Sequence, residues 1–308
     1  MIKYIGKRIL SSLVTIWVVV TLTFFLIRLM PGGPFDGDKI TPQIKANLEA
    51  KYGLDKPLGE QYLMYITNLL KGDLGESMQF RGRQVSNTIK VSFPKSAKVG
   101  GIAVIFSVTI GVLLGIISAL NANKWPDRLC MFIATLGITI PSFVISALLI
   151  YVFASHLKLL PTTGLDGWKS YIMPVIALAG SSTAFITRLT RSKLMDVLKS
   201  DYIRTAKAKG LSNKVVIFKH ALKNSMIPVV TYLGPLVAGI LTGSFVVEKI
   251  FNIPGLGKEF VSTIPNRDYS ALLGVVVFYA ILIVTCNLIV DLIYVLIDPR
   301  IKLDEIKW

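Results

Sequence analysis

The chain has 308 residues, 53% of them hydrophobic and only 17% charged, with a formal net charge of +16. So few charges over so much apolar sequence exclude an ordinary soluble protein and point to the bilayer. The basicity does not mark a nucleic-acid partner, because Lys and Arg gather beside apolar runs, where charge sets membrane orientation.

The first apolar run, Ile9–Ile27, holds no Asp, Glu, Lys or Arg. At about 19 residues it is long enough to cross a hydrocarbon core of roughly 30 Å. It is too long for a signal-peptide core and lacks a small-x-small cleavage site, so it is expected to stay as an anchor. Lys3, Lys7 and Arg8 precede it with no acid.

Residues 31–97 carry their own helix signals. Thr41-Pro42 has the N-cap and N1 pattern, Ile44, Leu48 and Tyr52 share a face, and Gly53 can stop the helix. Pro57 starts a second helix, with Tyr62, Tyr65, Ile66 and Leu69 as its stripe and Gly72 at its end. This segment reads as an ordered cap, which divides the chain into a first membrane helix (1–30), a cap (31–97) and a five-helix core (98–308).

Four further uncharged runs, Val99–Leu120, Leu129–Ser155, Ser225–Val247 and Ser270–Val290, and the shorter Tyr171–Thr187, make six membrane helices. Ser107, Gly111, Gly115 and Ala119 recur every four residues, as do Gly239 and Gly243. Such faces serve either a subunit interface or moving seam, or ordinary intrachain packing. Pro141 in "GITIPSF" and Pro235 in "YLGPLVAG" are expected to interrupt their helices.

Thr139, Pro141, Ser142, Ser181 and Asn287 are the helix-breaking or polar positions in these spans and the candidates for a translocation path; helix–helix hydrogen bonding explains the polar ones equally well. Asp291 is the one acid read as lying near a span interior, with Asp298 at the exit. A proton-driven carrier would need a chain of Asp, Glu or His within the bilayer, and none is present.

The chemistry of an enzyme is missing as well. There is no G-x-S-x-G, H-E-x-x-H or paired-Cys motif, so no catalytic residue is assigned. Two cysteines, Cys130 and Cys286, and two histidines, His156 and His220, offer no metal cluster. The nearest phosphate-loop fragment, "IPGLGKEF", has Asn252 in place of the first Gly and Glu259 in place of Ser or Thr. The chain is therefore expected not to hydrolyse ATP and to bind no cofactor of its own.

The segment 188–223 carries ten Lys or Arg against Asp196 and Asp201, while 156–170 and 251–269 are near neutral. The positive-inside rule places both termini and 188–224 in the cytoplasm. Within it, "DYIRTAKAKGLSNKVVIFKHALKNSMIP" spans Asp201–Pro228. Tyr202, Ile203 and Ala206 share one face of a short helix, and Lys207 and Lys209 load its end. Gly210 can close that helix in a left-handed conformation, and Ser212 can cap a second one lined by Val215, Phe218 and Leu222. A helix lying on anionic lipid or a solvated loop would also fit this pattern.

With "VVTYLG" appended, this stretch resembles the cytoplasmic coupling loop of ABC importer permeases, specifically the oligopeptide/dipeptide permease family. The general importer motif is Glu-Ala-Ala, three residues, then Gly; here Arg204, Thr205 and Ala206 stand first and Gly210 last. Two of those four positions depart from the general motif, and Pro228 falls late; both departures look like the peptide subfamily's own version. "PGGPF" (Pro31–Phe35), "YGLDKPL" (Tyr52–Leu58), "TGSFVVEKIFNIPGLG" (Thr242–Gly257) and "DPRIKL" (Asp298–Leu303) look like the B-type subunit of that family.

The resemblance implies an all-α polytopic membrane protein with the type I importer permease fold. It implies a permease subunit that takes up oligopeptides by ATP-driven alternating access in a bacterial cytoplasmic membrane. Dipeptides, nickel chelates and glutathione stay open as substrates, and a secondary transporter is the rival from another class. The implied partners are a second homologous permease, two cytoplasmic ATPase subunits holding ATP and Mg, and an extracellular peptide-binding protein. The implied ATPase-coupling residues are Tyr202, Ile203, Arg204, Thr205, Ala206, Gly210, Leu211, Ser212, Val215 and Val216.

Overall fold

The computed structural model describes residues 2–36, 40–243 and 245–297, and its regular structure is helical. In chain order the helices are α1 (Ile2–Leu29), α2 (Pro42–Tyr52), α3 (Leu58–Leu70), α4 (Val85–Leu120), α5 (Trp125–Thr139), α6 (Ser142–Leu149) and α7 (Lys169–Leu198). There follow α8 (Asp201–Ala208), α9 (Asn213–Val215), α10 (Leu222–Ser225), α11 (Ile227–Gly243), α12 (Phe245–Ile250), α13 (Leu256–Thr263) and α14 (Tyr269–Ile297). Wide π-type turns extend α6 over Ile150–His156 and link α9 to α10 over Val216–Ala221.

Five helical stretches are long and apolar enough to cross a membrane: Gly6–Leu29, Val85–Leu120, Lys169–Leu198, Ile227–Ile250 and Tyr269–Ile289. The pair Trp125–Thr139 and Ser142–His156 is together long and apolar enough for a sixth, and is bent by 106° at the break, the geometry of a broken span or a re-entrant loop. The run Leu129–Ser155 is thus interrupted at Pro141, as expected. Ile140 is extended (φ −86°, ψ 121°), because Pro141 disfavours helical geometry in the residue before it and has no N–H to give. Pro235 does not interrupt its helix as expected, since it lies inside α11, where a span tolerates the loss of one hydrogen bond. The short span Tyr171–Thr187 is only the N-terminal part of α7, which continues through Arg188 and Arg191.

Two compact units divide the described chain, one of residues 2–95 and 254–288, the other of 96–253 with 289–297. In the first unit, Phe24 and Ile27 of α1 form a core with Tyr269, Leu272 and Leu273 of α14. Tyr62 and Tyr65 of α3 lie against Phe24, with ring centroids 5.4 and 5.6 Å apart, as the apolar stripe of α3 requires. Thr41 caps α2 by accepting from the Ile44 N–H, and Gly53 ends it in the left-handed region at φ 66°. The face expected of α2 is only partly used: Tyr52 lies against Phe35, while Ile44 is exposed.

Asp268 organises the far end of this unit. It is buried, accepts from the Ala271 N–H at 3.2 Å as the N-cap of α14, and also accepts from the Ser77 hydroxyl and the Met78 N–H. Asp268→Ala leaves these donors without their acceptor and is expected to cost about 2 kcal/mol. Thermal unfolding of the purified chain in detergent measures this, and an unshifted midpoint would refute the tie.

In the second unit, Val99 and Ala103 of α4, Met173, Ala177 and Ile186 of α7, and Val229, Leu236 and Ile240 of α11 pack into one core with Phe251 and Ile253. The small-residue face of α4 is an intrachain seam. A Cβ on Gly111 would stand 2.9 Å from the Thr183 carbonyl oxygen, and one on Gly115 2.9 Å from that of Thr187. The two backbones approach closely only because these residues lack side chains.

Candidate functional site

The basic segment after α7 folds as a helix, a glycine turn and a second helix. Asp201 in the first turn of α8 and Lys207 in its last suit the helix dipole. Gly210 is left-handed at φ 80°, as expected, and its N–H donates to the Lys207 carbonyl at 3.0 Å. Ser212 is extended and stands at the N-cap position of α9, but its hydroxyl makes no capping bond.

The second helix differs from the expected one in a way that matters. Through Val216–Ala221 it widens to a π-type turn, whose i-to-i+5 repeat puts Val216 and Ala221 on one face. Both are fully buried, so the inward side is Val216, Ala221 and Ser225, not the α-helical stripe of Val215, Phe218 and Leu222. Phe218 is instead 60% exposed and Val215 38%.

Ile203, Ala206, Val216 and Ala221 form a small core with Ala119 of α4 and Leu194 of α7. Of the ten predicted coupling residues, Ile203, Ala206 and Val216 are thus buried and fasten the segment to the ends of two long helices. Tyr202, Arg204, Thr205, Gly210, Leu211, Ser212 and Val215 face outward. Tyr202 does not share the buried face of α8; it is 44% exposed, and its hydroxyl accepts from the Asn224 amide at 2.9 Å. Leu211, Val215 and Phe218 are left as exposed apolar side chains, with Lys209, Lys214 and Lys219 exposed among them.

One element beneath this segment escaped the sequence reading. Asp127 of α5 is 3% exposed. It accepts from Nε and Nη2 of Arg191 at 2.7 Å each, from the Ser118 hydroxyl, and from the Asn123 N–H at 2.8 Å. The bidentate pair joins the start of α5 and the end of α4 to α7, one turn before Leu194 enters the small core. The only sequence signal is a lone acid in the first turn after Pro126, and Arg191 counts in the sequence only among the charges that set topology.

Four of the five path candidates lie in the second unit. Thr139, Pro141 and Ser142 stand together, exposed, at the break between α5 and α6. Ser181 is exposed on α7, one residue past Gly180, where a Cβ on Gly137 of α5 would come within 2.8 Å of the Gly180 carbonyl oxygen. Asn287 is exposed on α14, in the first unit. The Asp291 side chain and all of Asp298 lie outside the described residues.

Comparison with known proteins bears on what this scaffold is. Residues 111–303 match the family described as binding-protein-dependent transport system inner membrane component, and residues 1–111 match the N-terminal model of the same system. An oligopeptide transport system permease protein OppB of Haemophilus influenzae is 44% identical over 98% of this chain and 100% of its own length. A dipeptide transport system permease protein DppB of Bacillus subtilis is 46% identical over 99% of each. Among solved structures, an inward-facing MetNI methionine ABC transporter aligns with a TM-score of 0.59 over 68% of this chain and 96% of that one. An amino acid ABC transporter solved with histidines aligns at 0.55 over 68% and 93%. Both are 16% identical to this chain and speak for the fold alone. A helical core of apolar spans with this fold, matched to family models from residue 1 to residue 303, means that the chain belongs to the family of binding-protein-dependent transport system inner membrane components.

Proposed function

We propose that this chain is the membrane-spanning half of an ATP-driven importer of oligopeptides, working by alternating access in a bacterial cytoplasmic membrane. The observation that carries the reading is the segment 201–226: its inner face is locked into the chain's own core, while Leu211, Val215 and Phe218 stay outside. An apolar face held on a rigid base is what a docking element needs, because its contact area is positioned before the partner arrives. We assign that face to a cleft on a cytoplasmic ATPase.

In this reading two such ATPases hold ATP and Mg, a second homologous permease completes the pathway, and an extracellular peptide-binding protein delivers the substrate. Closure of the ATPases on ATP displaces the docked face. Ile203, Ala206 and Val216 pass the displacement to α4 and α7, whose packing then switches between two arrangements biased by ATP and by the loaded binding protein. The chain itself performs no covalent chemistry. The exposed break at Thr139, Pro141 and Ser142, with Ser181 on α7 and Asn287 on α14, is assigned to the peptide's path. The near-full-length likeness to oligopeptide and dipeptide permeases supports peptides over nickel chelates or glutathione. The 31–97 segment is proposed as the extracellular cap.

The turn at Gly210 offers the test. Apart from its chain neighbours, nothing lies within 4 Å of where its Cβ would stand, so the cost of Gly210→Val is set by the left-handed backbone. That cost is about 1–2 kcal/mol. ATP-dependent uptake of a radiolabelled tetrapeptide is expected to fall several-fold at unchanged membrane insertion. Wild-type uptake at equal expression would remove Gly210 from the coupling mechanism, and uptake by the native protein without ATP would remove the importer reading.

A further inference from the structure

The second unit holds an open groove of about 570 Å³ between α4 and the start of α7. The two helices run side by side in the same direction there. Lys98 Nζ stands 4.9 Å from the centroid of the Tyr171 ring, and further along the Ser107 hydroxyl lies 3.4 Å from the Ala179 carbonyl oxygen. Ile102 and Phe106 of α4 line one wall, and Ile172, Val175 and Ile176 of α7 the other. From Lys98 to Phe106 the groove runs about 12 Å at the helical rise per residue. That is close to the roughly 15 Å of one leaflet's hydrocarbon.

The mouth is polar where the walls are apolar. Lys98 is exposed, lines the groove, and has no ion pair among the described residues. Trp168, 72% exposed, and Tyr171 line the same end, and such amphipathic aromatics settle at headgroup depth. Asp166 and Lys169 lie on either side of Trp168, both exposed, so with Lys98 this end keeps a net positive charge. We infer that the groove is a binding site for an anionic phospholipid, with the phosphate on Lys98 and one acyl chain between α4 and α7. An ammonium acts on a phosphate as a point charge and so tolerates a mobile headgroup.

Other occupants fit less well. A peptide would lay its backbone amides against apolar side chains that cannot pair them, whereas an acyl chain carries no polar group to bury. The peptide path assigned above also uses another side of α7: Ser181 stands nine positions after Ile172, about two and a half turns, and so on the opposite face. A free phosphate would use the lysine and leave the apolar walls in water. The site needs only a chain that spans a membrane, and its failure leaves the import reading untouched.

The test uses the full chain with its co-purifying partners, taken from nanodiscs holding equal phosphatidylglycerol and phosphatidylcholine with the same acyl chains. Native mass spectrometry reads which lipids stay bound. Phosphatidylglycerol is expected to be retained in preference, and Lys98→Gln should weaken one phosphatidylglycerol per copy of this chain about fivefold, the value of one lysine at the membrane surface. Lys98 is exposed, so this variant reports without disturbing the fold. Ile102→Trp keeps the lysine and fills the groove; it should weaken the same lipid at least about tenfold. Native retention of phosphatidylglycerol in either variant would overturn the site. So would a native complex that holds no lipid sensitive to them, a result that would give the groove to a neighbouring protein chain.

Discussion

Arg191→Met is expected to lower the unfolding free energy by about 3 kcal/mol. The side chain of Asp127 is 5% exposed, and its two oxygens share four donors, two of them from Arg191. Removing the arginine leaves a carboxylate out of water with only the Ser118 hydroxyl and the Asn123 N–H. Uncompensated buried charge, more than the lost attraction, sets the cost. Asp127→Asn added to Arg191→Met removes that charge and should return about half of the loss. Thermal unfolding in detergent distinguishes the cases, and a double variant no more stable than the single one would contradict the argument. Because Leu194 follows one turn later, the single variant should also loosen the base of the 201–226 segment.

Phe218→Asp should reduce ATP-dependent peptide uptake by at least about tenfold, the value of one central interface anchor. The chain's own stability should stay within about 0.5 kcal/mol, because an exposed side chain gives up little on replacement. Val216→Asp, two residues earlier and on the inner face, makes the contrast. Val216 is fully buried, and a carboxylate there should prevent the chain from accumulating at all. If Phe218→Asp imports at the native rate, the exposed face is not the docking surface. If both variants fail to accumulate, Phe218 belongs to the chain's core and not to a partner.

Local chemistry was the most legible part of this protein. Thr41, Gly53 and Gly210 act through their own backbone neighbours, so their roles follow from residue type and position. Charge-free runs located the spans, and Pro141 marked the break. What stayed hidden depends on partners distant in the chain or on small changes of helical pitch. Asp127 and Arg191 lie 64 residues apart, and nothing in either neighbourhood announces the other. The π-type turn moves burial from Val215 and Phe218 to Val216 and Ala221, a shift invisible to a 3.6-residue repeat. Helix α4 begins at Val85, well before its apolar run at Val99, because Ser and Lys interrupt hydrophobicity without interrupting the helix.

The most direct measurement is purification of the tagged chain from its native membrane in mild detergent, with identification of everything that accompanies it. The account predicts a second permease of the same family and two P-loop ATPases with the wild-type chain, and loss of the ATPases with Phe218→Asp. A chain that emerges alone and still carries peptides into liposomes without ATP would contradict it.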